Sequence, residues 1–248
     1  MLTLTAGRYA ARLDHSSADI RAAQSLRHRC FRGGDGLDAD RFDDGCRHLL
    51  VEDRTTGALV ACCRVLSFEN GARIDDSYAA QFYDLSALAH YDAPMIEIGR
   101  FCISPEACDN ADILRLAWAM LTQRVEAEGV GFLFGCSSFP GTDADRYREA
   151  FALLHAQHLA PGTWRPRIKT PDVIPFAQGS GRAPDAKQAL RAMPPLLRSY
   201  LAMGGWVSDH AVVDHDLNTL HVFTGLEVCA VPPARLRLLR TLCAHAIC

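Results

Sequence analysis

Apolar residues recur at Ile20, Ala23, Leu26, Cys30 and Phe31, the spacing of three and four that turns one helix face towards a core. Ser17 precedes that face as a cap and Gly33-Gly34 closes it, so a helix is predicted over 18–32. His48 to Glu52 and Ala58 to Leu66 are β-rich runs around the turn residues Arg54-Thr55-Thr56-Gly57, and read as a hairpin. Pro94 opens an extended run from Met95 to Ile103. Asp109-Asn110 then stands as the cap of a periodic helix through Leu114, Ala117, Trp118, Leu121 and Val125, which Gly129 stops before an apolar strand from Val130 to Cys136. Strand, helix and strand in this order form a βαβ unit, which implies parallel neighbours and a right-handed crossover.

Residues 143–158 read as helical. Seven prolines then fall between Pro161 and Pro195, a density that excludes regular helix and predicts a long irregular insertion over 161–195. Pro194-Pro195 opens a helix from Leu196 to Met203, ended by Gly204-Gly205. Val207 to Val213 and Leu220 to Phe223 read as closing strands, and 232–248 as an arginine-bearing terminal helix. The expected fold class is α/β or α+β, with a mixed central sheet flanked by helices in one domain over 1–248.

Composition then narrows the function. The chain has 248 residues, 49% of them apolar and 22% charged, which suits a soluble globular protein with a sizeable core. A net charge of −3 argues against a broad nucleic-acid-binding surface. No run approaches the length of a membrane span and no signal-peptide pattern opens the chain, so a cytoplasmic location is expected. The ten cysteines include no CxxC pair and several lie in apolar runs, so most read as small core residues. Lys169 and Lys187 are the only lysines. Cationic work therefore falls to arginine, whose planar fork suits carboxylates and phosphates, although biased codon composition alone would give the same pattern.

Three clusters and one separate arginine carry chemistry. Arg27 and Phe31 share a helix face; the bland alternative is a surface arginine over a core ring. Asp40 and Asp43 sit in an acidic stretch before the hairpin, where a solvated turn is the ordinary explanation. Arg64 lies inside Leu59-Val60-Ala61-Cys62-Cys63-Arg64-Val65-Leu66 and must end on solvent or meet a carboxylate such as Asp40 or Asp43. Glu97 and Arg100, three apart in a strand, face opposite sides unless a bulge intervenes, which Gly99 could supply; an edge ion pair is the plainer reading. Cys136, with His155 or His158, is a weaker candidate for accepting an acyl group. His210 and His215, five apart on a strand, point to opposite faces, so no metal site is expected.

Together these motifs resemble a known pattern. Arg27-x-x-x-Phe31, Asp40-x-x-Asp43, Arg64 and Glu97-x-x-Arg100 occur in the order and approximate spacing of the acyl-homoserine-lactone synthases and the ornithine lipid N-acyltransferases, both on the GNAT (N-acetyltransferase-like) fold. Phe134-Gly135-Cys136-Ser137-Ser138-Phe139, the segment from Pro194 to Leu201, and Leu217-Asn218-Thr219 are more similar to the ornithine branch, also called hemolysin-like. The resemblance covers about residues 20–225. The tryptophan of lactone synthases is missing from Gly33 to Leu37. Ser104-Pro105-Glu106-Ala107-Cys108-Asp109 replaces the glycine-bearing loop with which acetyl-CoA enzymes of this fold hold a pyrophosphate at a helix N-terminus.

The resemblance implies an N-acyltransferase that moves a fatty acyl or 3-hydroxyacyl chain to the α-amino group of an amino acid, with ornithine the first choice. A lactone synthase and an inactive GNAT-fold acyl-binding or regulatory protein are the alternatives. The donor implied is acyl carrier protein through its 4′-phosphopantetheine thioester, with acyl-CoA the poorer candidate and no tightly bound cofactor. Arg165, Arg167, Arg235, Arg237 and Arg240 would dock the carrier, and product release leaves room for peripheral membrane association. Glu97 is expected as proton acceptor beside Arg100. Backbone amides from Phe101 through Cys102 to Ile103 would polarise the thioester. Arg27, Phe31, Asp40, Asp43, Arg64, Ser137, Ser138 and Phe139 are expected to bind substrate, with Trp118, Phe134 and Phe139 as walls of an acyl tunnel.

Overall fold

The computed structural model describes residues 3–107, 111–176 and 183–245. In chain order its elements are β1 (Thr3–Ala6), β2 (Tyr9–Asp14), α1 (Ser17–Phe31), β3 (Arg47–Asp53), β4 (Leu59–Phe68), β5 (Tyr83–Asp84), β6 (Met95–Ile103), α2 (Ala111–Glu128) and β7 (Phe132–Pro140). They continue with α3 (Arg148–Gln157), β8 (Arg167–Ile168), β9 (Val173–Pro175), α4 (Ala186–Ala192), α5 (Pro195–Ala202), β10 (Trp206–Val207), β11 (His210–Asp214), β12 (Thr219–Glu227) and α6 (Pro233–His245). Asp109-Asn110, expected to cap α2, lie outside the described residues, as do 246–248 of the terminal helix. By contacts the chain gathers into two compact units, one of Met1–Ser67, Ile96–Val130 and Pro232–Cys248, the other of Phe68–Met95 and Gly131–Val231.

In the first unit the strand order is β1-β2-β3-β4-β6. β3 and β4 are buried almost without a break, so both faces of this sheet need cover. Leu50 and Cys62, paired across β3 and β4, pack with Cys102 against Ala23 and Leu26 of α1. α2 lies along β1, β2 and β3, and α6 lies on α2. There the Cys243 thiol donates to the Ala119 carbonyl at 3.2 Å and Arg240 pairs with Glu126 at 2.7 Å. The cap of α1 is Ser16 rather than Ser17: its hydroxyl accepts from the Asp19 amide.

In the second unit β7 runs antiparallel to β12 from Phe132 opposite Glu227 to Pro140 opposite Thr219. β11 and β10 also pair with β12, and β9 pairs with β11. On one face of β7 and β12, Phe132, Phe134, Trp206 and Phe223 stack at centroid separations of 5.6–5.9 Å. Phe139, Leu220 and Val222 face the other way, into the cluster with Phe151, Leu154 and Leu197. Phe134 and Phe139 therefore cannot wall one tunnel.

The Pro-rich stretch is not free of helix. Proline restricts itself and the residue before it, and 185–193 contains none. Asp185 there accepts from the amides of Lys187 and Gln188 and starts α4. The run from Val207 to Val213 is broken because the Ser208 hydroxyl donates to the His210 carbonyl at 2.7 Å and accepts from the Phe223 amide at 3.1 Å, taking over a ladder bond. Among the described residues no helix is long and apolar enough to cross a membrane.

Candidate active site

Arg27 follows Leu26 on the inward face of α1, and the helix carries its guanidinium wholly out of solvent. The segment after α1 turns back over it, with the Asp38 amide donating to the Gln24 carbonyl at 3.1 Å. Asp40 then accepts from the Phe42 amide at 2.9 Å, a local turn that delivers Asp43 to Arg27. Arg27 grips Asp43 in a fork, Nη1 to Oδ1 at 2.7 Å and Nη2 to Oδ2 at 2.9 Å. Gln24 adds a third donor at 2.9 Å and the Asp40 amide a fourth at 3.1 Å. Burial alone would raise the Asp43 carboxyl, but the hydrogen bonds and charge of Arg27 outweigh it and hold it well below the usual carboxylate range. Neither Arg27 nor Asp43 is the surface group that the ordinary readings would make it.

Arg64 enters from β4 and is 2% exposed. It donates to Asp40 and lies 3.4 Å from Asp43 Oδ1, with its guanidinium 5.6 Å from the Phe42 ring centroid. Asp40 is the opening in this cluster, its side chain 26% exposed against 3% for Asp43. Opposite Arg64 on β3 is His48, fully buried, with Nε2 3.2 Å from the Asp43 carbonyl. Burial pushes its pKa down and keeps the ring neutral.

β6 is distorted at this point. Cys62 and Arg64, two apart on β4, face the same side. Cys62 Sγ meets Cys102 Sγ at 3.6 Å, while a side chain at position 99 would come within 3.9 Å of Arg64 Nε. Partners three apart on β6 and two apart on β4 require one extra residue, a β-bulge. Arg100 sits in it at φ 53°, a conformation that costs a non-glycine residue about 1–2 kcal/mol. The bulge thus falls on Arg100 rather than on Gly99, and ionic contacts hold it: Arg100 Nε lies 3.1 Å from Asp38 Oδ2 and Nη2 3.4 Å from Asp40 Oδ2.

Glu97, two residues before Gly99, shares the Arg64 side of the strand and is buried. Its charge is felt by the Cys46 thiol, as are those of Arg64, Asp43 and Asp40. Burial first, then the carboxylates against the opposing pull of Arg64, push Cys46 up to about 12. Iodoacetamide at pH 8 should therefore modify the exposed Cys229 well before Cys46; equal labelling of the two by peptide mass spectrometry would contradict this burial. Beyond the bulge, the Ile103 carbonyl accepts from Cys30 Sγ at 3.5 Å, tying the strand to α1, while Phe31 packs at the edge of the apolar cluster of Ala23, Leu26, Leu50, Cys62 and Cys102.

Cys136, Ser137, Ser138 and Phe139 lie in the second unit. Ser137 is buried with its hydroxyl 2.9 Å from that of Thr224, Ser138 is exposed, and Phe139 belongs to the aromatic core. Cys136 is half-buried. Among the described residues no group of three His, Cys, Asp or Glu side chains is placed to hold a metal ion.

The ionic cluster falls inside a match to the acetyltransferase (GNAT) domain family over residues 26–119. An L-ornithine N(alpha)-acyltransferase of Rhodobacter capsulatus is 36% identical over 230 residues, 86% of this chain and 88% of that protein. The chain belongs to the L-ornithine N(alpha)-acyltransferase family. A second member, from Agrobacterium fabrum, is 29% identical over 249 residues, 91% of this chain and 83% of its own. FeeM, an N-acyl amino acid synthase from uncultured soil microbes, superimposes with a TM-score of 0.50 at 10% identity over 90% of this chain and 91% of that one, a likeness of fold. The protein is thus a GNAT-fold acyltransferase. Its Arg27, Asp43, Arg64 and Arg100 form one connected cluster with Asp38, which the sequence reading missed. The signal was there: three inward arginines outnumber the two aspartates expected to meet them, and a third carboxylate lies in the same segment.

Proposed function

We propose that this acyltransferase moves a fatty acyl chain from acyl carrier protein to the α-amino group of ornithine. The observation that carries the reading is the graded exposure of one ionic cluster. Asp43 and Arg27 are sealed, whereas Asp40 is open to solvent beside the strained Arg100. Asp40 suits the acceptor's side-chain ammonium and Arg100 its carboxylate; Arg64, committed to Asp40 and Asp43, positions rather than binds.

The α-ammonium must lose a proton before it can attack. Glu97, buried on the same side of β6, takes it directly or through a water. The amine nitrogen then bonds to the thioester carbon, the carbonyl oxygen becomes an oxyanion held by amides from Phe101 to Ile103 next to the bulge, and collapse expels the pantetheine thiolate. That thiolate takes the second proton, which the nitrogen gives up as the amide forms, and Glu97 returns the first to solvent, so the step balances.

Two features favour the carrier protein over coenzyme A. Pro105 has no amide hydrogen to offer a phosphate, and the carboxylate of Glu106, which accepts from the Ser104 hydroxyl, repels a pyrophosphate. Pantetheine on a carrier brings a single phosphate to that loop. The test is mass spectrometry of the lipid formed when purified protein meets acyl carrier protein loaded with different chains and a panel of amino acids. N-acylornithine should be the major product, at a rate that falls as salt screens the carrier. A lactone product, another preferred amino acid, or equal rates from acyl-CoA at all salt concentrations would each overturn the corresponding part of the reading.

A further inference from the structure

We infer that Asp38 is a positioning residue for acyl transfer, acting by holding Arg100 in its left-handed conformation within the β6 bulge. The inference rests on the acyl-transfer reading of the site. Asp38 is 4% exposed, and its carboxylate lies 3.1 Å from Arg100 Nε, 3.1 Å from Arg27 Nε and 3.5 Å from Arg32 Nε. Arg27 is anchored apart from the Asp38 side chain by its fork on Asp43, and its Nη2 donates a further bond to the Asp38 backbone carbonyl. Arg100 is different. It is the residue at positive φ in the strand, and its contact with the Asp40 carboxylate is longer at 3.4 Å and partly in solvent. The strain at φ 53° persists only if the surroundings over-determine it, and the buried charge of Asp38, 3.1 Å from Arg100 Nε, is such a restraint. If Arg100 relaxed to an extended conformation, the bulge would move, and with it the amides from Phe101 to Ile103 and the face that Glu97 shares with Arg64.

The test is a double-mutant cycle on the full chain, since contacting residues are non-additive when one acts through the other. Asp38→Asn keeps the backbone carbonyl and the shape but removes the charge. It should lower kcat at least about tenfold, as expected when reacting groups are displaced by a fraction of an ångström to 1 Å, with KM for the acyl carrier protein nearly unchanged. Arg100→Gly removes the side chain and adopts positive φ freely. In that background Asp38→Asn should change kcat by less than about twofold. Losses that multiply in the double variant, or a wild-type kcat in the single one, would overturn the inference by leaving Asp38 a structural residue only. Should Asp38→Asn fail to fold by thermal melt, Asp38→Glu, which keeps the charge but displaces it by one methylene, runs the same cycle with the same two outcomes. The cycle is read with whichever amine the wild type acylates best, so a wrong acceptor is seen in the wild type and leaves the cycle interpretable.

Discussion

Glu97→Gln should leave the fold and melting temperature in place and lower turnover by about two orders of magnitude or more, the usual size of a lost general base. Glutamine keeps the size and one acceptor oxygen, so the neighbours on β6 need not move. What it loses is the ability to take a proton from an ammonium. The defect should therefore lie in kcat and lessen as pH rises towards the acceptor's own amine pKa, because free amine then reaches the site without help. If Glu97→Gln turns over at the wild-type rate at the pH optimum, the proton leaves by another route and Glu97 has no part in the chemistry.

Much of this site was legible before any coordinates, because charge in an apolar setting is expensive and has to be answered. Arg64 in its hydrophobic run asked for a carboxylate, and Asp40 and Asp43 answer it. Glu97 and Arg100 on one strand asked for a bulge, and there is one. Its exact seat was not legible: glycine is the residue that accepts positive φ at no cost, yet Arg100 takes it because Asp38 and Asp40 hold its guanidinium, a tertiary term that no local propensity contains. The N-terminal hairpin of β1 and β2 was within reach, since Gly7 at φ 56° begins a two-residue turn between paired Ala6 and Tyr9. The segment from Gly71 to His90 was not; it is a chain of short 3-10 turns with no repeating period to detect. In the Pro-rich region, counting prolines misled where their spacing mattered, for α4 fits between Pro184 and Pro194.

The largest effect on stability should come from Arg27→Met. The substitution keeps much of the apolar stem but strands Asp43 in the interior, and removing one partner of a buried pair costs about 3–5 kcal/mol. The pH dependence identifies the cause. In the wild type the Asp43 carboxyl is held below its ordinary value, so the pair contributes fully above about pH 4 and is lost as pH falls through and below that point. In the variant the bonds from Gln24 and the Asp40 amide and the nearby charge of Arg64 remain, but the fork that offset burial is gone, so the folded-state pKa should rise and the penalty, full at neutral pH, is relieved as acid protonates the carboxyl. Wild type and variant should therefore converge as urea unfolding is followed from pH 7 to pH 4, and Arg27→Met combined with Asp43→Asn should recover part of the loss at pH 7. A gap that stays constant with pH would place the cost in lost packing around α1 rather than in the stranded charge. The ionic cluster would then be an adornment of the helix and not the reason its arginine is buried.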